Sequence, residues 1–379
     1  MFLKTVMERN QPLVRLGIEW QQNGVILPDT YLLDYDTILE NARSIKQAGD
    51  ANGVQNFFML KQIGRNPLIA RALTDMGYVG AVCVDFREAL TMVENQIPLG
   101  NVGHLVQIPR AALKKILRAK PVIVTVYTLE KAREISAVCT ELGLHQKLML
   151  RVLGEGDMLY SGQYGGFELQ ELDSAVRAIE AMPNVEVGGV CSFPCFLYDE
   201  AAQDILPMPN LRTVQTAAEM LRARGYRDLM LNTPSATCTH SIPMIAAAGG
   251  THGEPGHGLT GTTPYHAGHP DAEERPGYLY VSEVSHNLGD KAYCYGGGHY
   301  RRGHMKNALV GTTPENAKVV PVLPPDDSSI DYHFELQQNC PVSAAAVMAF
   351  RTQFFVTRSR VAVVKGLSSG KPELAGLYS

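Results

Sequence analysis

From about residue 30 to residue 260 the chain alternates between short apolar runs and longer stretches in which apolar residues return every three or four positions. The runs at 56–61, 78–85, 102–108, 122–126, 148–153, 186–192, 228–232 and 251–259 are rich in Val, Leu, Met and Phe, as strands buried on both faces must be. The stretches between them carry helix signals. Asn66 followed by Pro67 predicts a helix over 68–76 closed by Gly77, and Asp85 caps a helix over 86–93. Pro109 opens 111–119, Thr128 opens 129–142 before Gly143, and helices over 169–182 and 211–224 complete the series. Strands alternating with helices belong to a parallel sheet, and eight such units are the number that closes a TIM-type (β/α)8 barrel. An open doubly wound sheet is the competing architecture, but no Gly-x-Gly-x-x-Gly follows the first strand.

After residue 270 the texture changes. A charged, proline-containing linker at 271–277 leads into a short β-like run at 278–285, three glycines at 296–298, and β-branched or aromatic stretches at 318–323 and 353–365. The expected organisation is therefore a barrel domain over 28–268 and a second, mostly β domain over 269–379. Residues 1–27, otherwise unaccounted for, are expected to add a strand to the second domain. With 379 residues, 45% hydrophobic and 19% charged, the chain has the material for a large core. A net charge of −4 without basic blocks speaks against nucleic acid as a partner. No apolar run is long enough to span a bilayer, and the first residues carry charges where a signal peptide needs an apolar core. Seven cysteines without framework spacing read as reduced thiols of a cytoplasmic protein.

The chemistry clusters where such barrels keep it, at the C-terminal ends of the strands. Lys61 closes the run Phe57-Phe58-Met59-Leu60. An amine there is partly desolvated, which disfavours the ammonium and favours a nucleophile that forms imines; a lysine snorkelling from a strand end is the plainer alternative. Arg151, Ser192, Thr233, Ser235, Thr237 and Glu254 interrupt or follow other apolar runs and describe a polar ring. Gly253-Glu254-Pro255-Gly256-His257-Gly258 offers bare backbone of the kind that cradles phosphate, or an ordinary Gly/Pro loop. No spacing among His252, His257, His266 and His269 matches a zinc pattern, so no metal is expected.

These residues together resemble the fold-type III pyridoxal-phosphate enzymes, the alanine-racemase-like family. The resemblance covers roughly residues 30–300. It rests on the lysine strand 56–64, the preceding Leu33-Asp34-Tyr35-Asp36 segment, the last-strand segment 251–261, and Gly289-Asp290-Lys291-Ala292-Tyr293-Cys294-Tyr295-Gly296. The resemblance implies pyridoxal 5'-phosphate held by Lys61 as a Schiff base. It implies a second catalytic group at Tyr295, donated across a homodimer, with Cys294 as its rival. Ser235, Thr237, Gly256 and His257 would hold the cofactor phosphate, and Phe193 would stand against the ring.

Three departures from the racemase pattern bear on function. Glu254 replaces the arginine that faces the pyridine nitrogen in racemases and resembles the glutamate of the family's decarboxylases. A carboxylate keeps that nitrogen protonated and supports fuller carbanion chemistry. Arg151 stands where racemases place a lysine and could clamp a substrate carboxylate, or serve in a structural ion pair. Cys340 lacks the His-x-Cys pairing of the metal-dependent lyases. The resulting expectation is an amino-acid racemase or epimerase acting on a small amino acid or amine. A pyridoxal-phosphate decarboxylase or lyase is the alternative, and a non-catalytic cofactor carrier is the rival from another class.

Overall fold

A computed structural model describes residues 2–379. The chain divides into two compact units. One comprises Arg43–Leu60 and Pro67–Gly256; the other comprises the segment up to Ala42, Lys61–Asn66 and His257–Ser379.

The first unit is the expected barrel. Its strands are Gln55–Asn56 with Phe58–Met59, Ala81–Cys83, Leu99–Val102, Ile123–Val126, Gln146–Leu153, Val185–Cys191, Met230–Asn232 and His252–Gly253, each parallel to the next. The ring closes through the first strand, which breaks at Phe57. Its Gln55–Asn56 half pairs with His252–Gly253 and its Phe58–Met59 half with Ala81–Cys83. The Phe57 N–H donates to the Gly253 carbonyl at 3.0 Å and the Phe58 N–H to the Gly80 carbonyl at 3.1 Å, so the strand changes neighbours across one residue.

The intervening helices follow their signals. Asp85 accepts from the Glu88 N–H at 2.9 Å to cap Phe86–Glu94. Thr128 caps Leu129–Leu142, which ends where Gly143 adopts a left-handed φ of 63°. Buried faces at helical spacing, such as Leu172, Val176 and Ile179, hold the helices in place. Each such side chain contributes roughly 1.5–3 kcal/mol. Two strands differ from expectation. The third is Leu99–Val102 rather than 102–108, because Gly100 and Asn101, both buried, break its apolar run. The eighth keeps only His252–Gly253 in register before its glycines and Pro255 take the backbone out of the ladder.

The second unit is the expected β structure, a nine-stranded sheet. Tyr278–Leu288, Lys291–Tyr295, His333–Leu336, Lys318–Leu323, Asn307–Gly311 and Ala345–Met348 pair successively and return to Tyr278–Leu288, making a small antiparallel ring. Thr30–Asp34, Arg360–Lys365 and Glu373–Tyr378 continue the sheet from Tyr278–Leu288. The strand expected from residues 1–27 is not there: they hold the helices Leu3–Arg9 and Gln11–Gln22, and it is Thr30–Asp34 that joins this sheet. Asn10 accepts from the Leu13 N–H, Pro12 sits in the first turn, and Leu13, Leu16 and Ile18 pack on Leu279, Val281 and Val347. No helix among the described residues is long and apolar enough to cross a membrane.

Gly100 marks the tightest approach behind the lysine strand. A Cβ there would lie 2.4 Å from the Phe57 ring and 2.9 Å from the Gly80 backbone. Gly100→Val is therefore expected to lower the melting temperature, followed by circular dichroism, by roughly 2–10 °C, the effect of about 1–3 kcal/mol of overpacking. An unchanged melting curve would show that Phe57 is free to move aside.

Candidate active site

In the β unit, Lys61 follows Phe58–Met59 by two residues, is 7% exposed, and its carbonyl accepts the Phe354 N–H at 3.0 Å. Its own segment, Lys61–Asn66, is therefore tied to the β sheet's chain. His257 belongs to the same unit. Its Nε2 accepts from Arg351 Nε at 3.3 Å, and its Nδ1 lies 3.2 Å from Thr262 Oγ1. Because arginine can only donate, the ring proton is on Nδ1. Burial above all, then the charges of Arg351 and Lys61, hold His257 well below the usual histidine range, so the ring is neutral. Both nitrogens are occupied. The side chain expected to hold an anion thus orients a guanidinium instead, and Arg351 was not singled out by any motif in the sequence.

The barrel unit carries the polar ring. Glu254 is 5% exposed. Its Oε1 accepts from Asn232 Nδ2 at 2.6 Å and from Asn101 Nδ2 at 3.1 Å. Its Oε2 has no hydrogen-bond partner among the described residues, and His104 Nε2 stands 3.6 Å from it. A buried carboxylate oxygen left without a donor costs roughly 1–3 kcal/mol, which an added N–H or O–H donor would offset. Thr237 Oγ1 accepts the Glu254 N–H at 3.1 Å and so positions that residue. Ser235 donates its hydroxyl to the Phe196 carbonyl at 2.7 Å, which leaves it only lone pairs to offer. Gly256 is buried at the end of this unit's chain. Phe193 is half-buried, with the His104 ring edge-on at 5.6 Å and the Tyr160 ring at the same distance.

Arg151 is 1% exposed. Nη1 donates to the Tyr127 hydroxyl at 2.7 Å, Nη2 donates to the Gln163 carbonyl at 2.8 Å, and the guanidinium lies over the Tyr127 ring. The Tyr127 hydroxyl in turn donates to the His104 carbonyl at 2.7 Å. Nε is unpartnered, and no carboxylate pairs with Arg151 among the described residues. The structural ion pair left open by the sequence is therefore absent. A buried cation without a counterion is a costly arrangement that an anionic ligand relieves.

The strand Lys291–Tyr295 separates the two rivals for the second catalytic role. Successive side chains point to opposite faces. Tyr295 is 39% exposed, whereas Cys294 is fully buried inside the β unit, where burial pushes its thiol up to about 12. Such a thiol has neither access to substrate nor a thiolate at neutral pH, which argues against Cys294 as a proton-transfer group.

Residues 33–264 match the family model of the alanine racemase N-terminal domain, and residues 279–374 match the YhfX-like C-terminal domain. The chain is 43% identical over its whole length to 98% of the Uncharacterized protein YhfX of Escherichia coli (strain K12). Among solved structures it is similar to D-threonine aldolase from Filomicrobium marinum, with a TM-score of 0.68 at 16% identity over 93% of this chain and 94% of that one. It is similar also to alanine racemase of Clostridium difficile 630 in complex with cycloserine, at 0.65 and 14% over 93% and 98%. Diaminopimelate decarboxylase from M. jannaschi gives 0.66 and 14% over 95% and 90%. At these identities the three structures share the fold.

The seven cysteines are all buried and form no disulfide, which gives the placement of Cys294 a direct check. Iodoacetamide at pH 8 is expected to leave Cys294 unlabelled in native protein and to label it after denaturation, as read by peptide mass spectrometry. Rapid native labelling of Cys294 would refute its burial and restore it as a catalytic candidate.

Proposed function

The chain belongs to the alanine-racemase-like family, and on that footing we propose that it is a pyridoxal-phosphate-dependent amino-acid racemase or epimerase. Members of the family use pyridoxal phosphate, and the residues present fit that group. The Oε2 of Glu254, which accepts no hydrogen bond among the described residues, is a buried acceptor suited to the N–H of a protonated pyridine ring. Bound pyridoxal phosphate supplies the electron sink that makes a Cα–H bond acidic.

The observation that favours racemisation over decarboxylation is Arg151, buried and without a carboxylate. We assign it the substrate α-carboxylate. A charge-assisted fork on that carboxylate is worth most while the negative charge remains, and it is lost as neutral carbon dioxide departs. The interaction therefore stabilises the ground state against decarboxylation and leaves Cα–H as the bond to break. Lys61 would hold the cofactor covalently and move the proton on one face of Cα. Tyr295, exposed on its strand, would act on the opposite face from the second subunit of a homodimer. Its buried neighbour Cys294 is the weaker candidate. Thr237, whose hydroxyl hydrogen is not committed by the bond it accepts from the Glu254 N–H, would take the cofactor phosphate with backbone at Gly256. Phe193 would line the ring.

One observation favours the second reading, a decarboxylase or lyase: Glu254 stands in a Glu-Pro-Gly setting resembling that of the family's decarboxylases. Proton NMR of the cofactor-loaded protein with L- and D-amino acids in deuterium oxide separates the two. Racemisation predicts loss of Cα–H signal, with both enantiomers appearing and no other product. Amine or aldehyde without Cα–H loss would replace racemisation by the second reading. Lys61→Ala is expected to lose the visible band of lysine-bound cofactor and to slow exchange on the order of 10²–10⁴-fold.

Transfer in trans has its own test. Lys61→Ala and Tyr295→Phe proteins, each inactive alone, are expected on subunit exchange to recover about one quarter of wild-type exchange. Half of randomly paired dimers are hybrids, and each hybrid holds one intact site of two. No recovery, with hybrids verified by mass spectrometry, would place Tyr295 outside the partner's chemistry.

A further inference from the structure

We infer that Asn101 and Asn232 are positioning residues that fix Glu254 as a one-sided acceptor, so that the site selects a cofactor ring bearing an N–H. The inference rests on the pyridoxal-phosphate reading and goes beyond it, because it names what gives the carboxylate its role. Asn101 comes from the third barrel strand, Asn232 from the seventh, and Glu254 follows the eighth; both asparagines are fully buried. Their amide hydrogens converge on the same oxygen, Oε1, at 3.1 and 2.6 Å.

The orientation of Asn101 is enforced from behind. Thr125, on the fourth strand, donates its hydroxyl to Asn101 Oδ1 at 2.7 Å, which turns the amide N–H toward Glu254. The flipped amide would set two acceptors against each other at Oε1. An oxygen that accepts two N–H bonds has its lone pairs occupied, so these donors direct the remaining acceptor capacity of the carboxylate to Oε2.

Two acceptors remain without a hydrogen bond at this edge, and the His104 ring, 3.6 Å from one of them, stands too far to supply it. Glu254 Oε2 and Asn232 Oδ1 are both buried, and neither meets a donor among the described residues. A ring nitrogen bearing a hydrogen satisfies this edge; a bare nitrogen or a C–H leaves it unsatisfied. Discrimination built on an unpaired buried polar group is large, because the wrong ligand leaves that group desolvated without a partner. For the reaction, holding the ring proton in place strengthens the electron sink on which Cα–H acidity depends.

The test compares pyridoxal phosphate with its 1-deaza analogue, in which C–H replaces the ring nitrogen, by titrating each into cofactor-free full-length protein. Affinity is read from the visible band of the lysine-bound ligand, and the ratio of the two affinities is the quantity of interest. A general loss of folding lowers both affinities and cancels in this ratio. Wild type is expected to prefer pyridoxal phosphate by on the order of 10²-fold, and Glu254→Gln to lose that preference. Asn101→Ala and Asn232→Ala are each expected to cut the preference about tenfold. Thr125→Val, nearly isosteric and able to fold where the asparagine variants fail, is expected to cut it by a smaller factor. If Glu254→Gln loses the preference while all three other variants keep it, the cofactor reading stands and the inference is overturned. If wild type forms no visible band with pyridoxal phosphate, the cofactor reading falls and the inference falls with it.

Discussion

Closure of the parallel sheet depends on one short strand that serves two neighbours in turn. Gln55–Asn56 holds the last strand and Phe58–Met59 the second, with Phe57 as the residue between. A strand divided in this way cannot slide by one residue without breaking both ladders, so the register of the segment leading to Lys61 is fixed from two sides. Gly100 and Gly80 give Phe57 the space it needs. The backbone course of this strand follows from its packing before any catalytic requirement is considered.

The barrel interior is also where the protein tolerates charge that its own residues leave unsatisfied. Glu254 keeps an oxygen without a donor, and Arg151 keeps a positive charge without a counterion. Either would be expensive as a purely structural feature. Together they describe complementary needs, an N–H at one residue and a carboxylate at the other.

Much of this was readable in the sequence, and what was not has physical causes. Lys61 and Glu254 stood out because each interrupts an apolar run at a strand end, where burial makes a charge conspicuous. Asn101 did not, because it lies inside a strand whose apolar run Gly100 and Asn101 themselves break, so the continuous run in the sequence begins only after them. Asn232 was within an expected strand, but nothing in its spacing shows that its amide turns toward a residue 22 positions on. Arg351 lies beyond a strand, Ala345–Met348, too short and alanine-rich to be distinguished. The ambiguity between Cys294 and Tyr295 was one of parity: adjacent strand residues face opposite ways, and the sequence does not say which face is inside. The N-terminal helices have an ordinary start at Asn10 and Pro12, but their place against the β sheet is set by tertiary packing that local spacing does not carry.

The ring of six strands in the β unit has a consequence for the protein's behaviour at high concentration. A ladder that returns to its first strand presents no free row of backbone donors and acceptors to another molecule. The open end of this sheet is then the outer side of Glu373–Tyr378, where Leu374 and Leu377 are 40% and 45% exposed. Unwanted strand addition, and with it any tendency of folded molecules to aggregate through this sheet, is concentrated on that one strand. It is also where a single inward-facing lysine or a proline would do most for solubility.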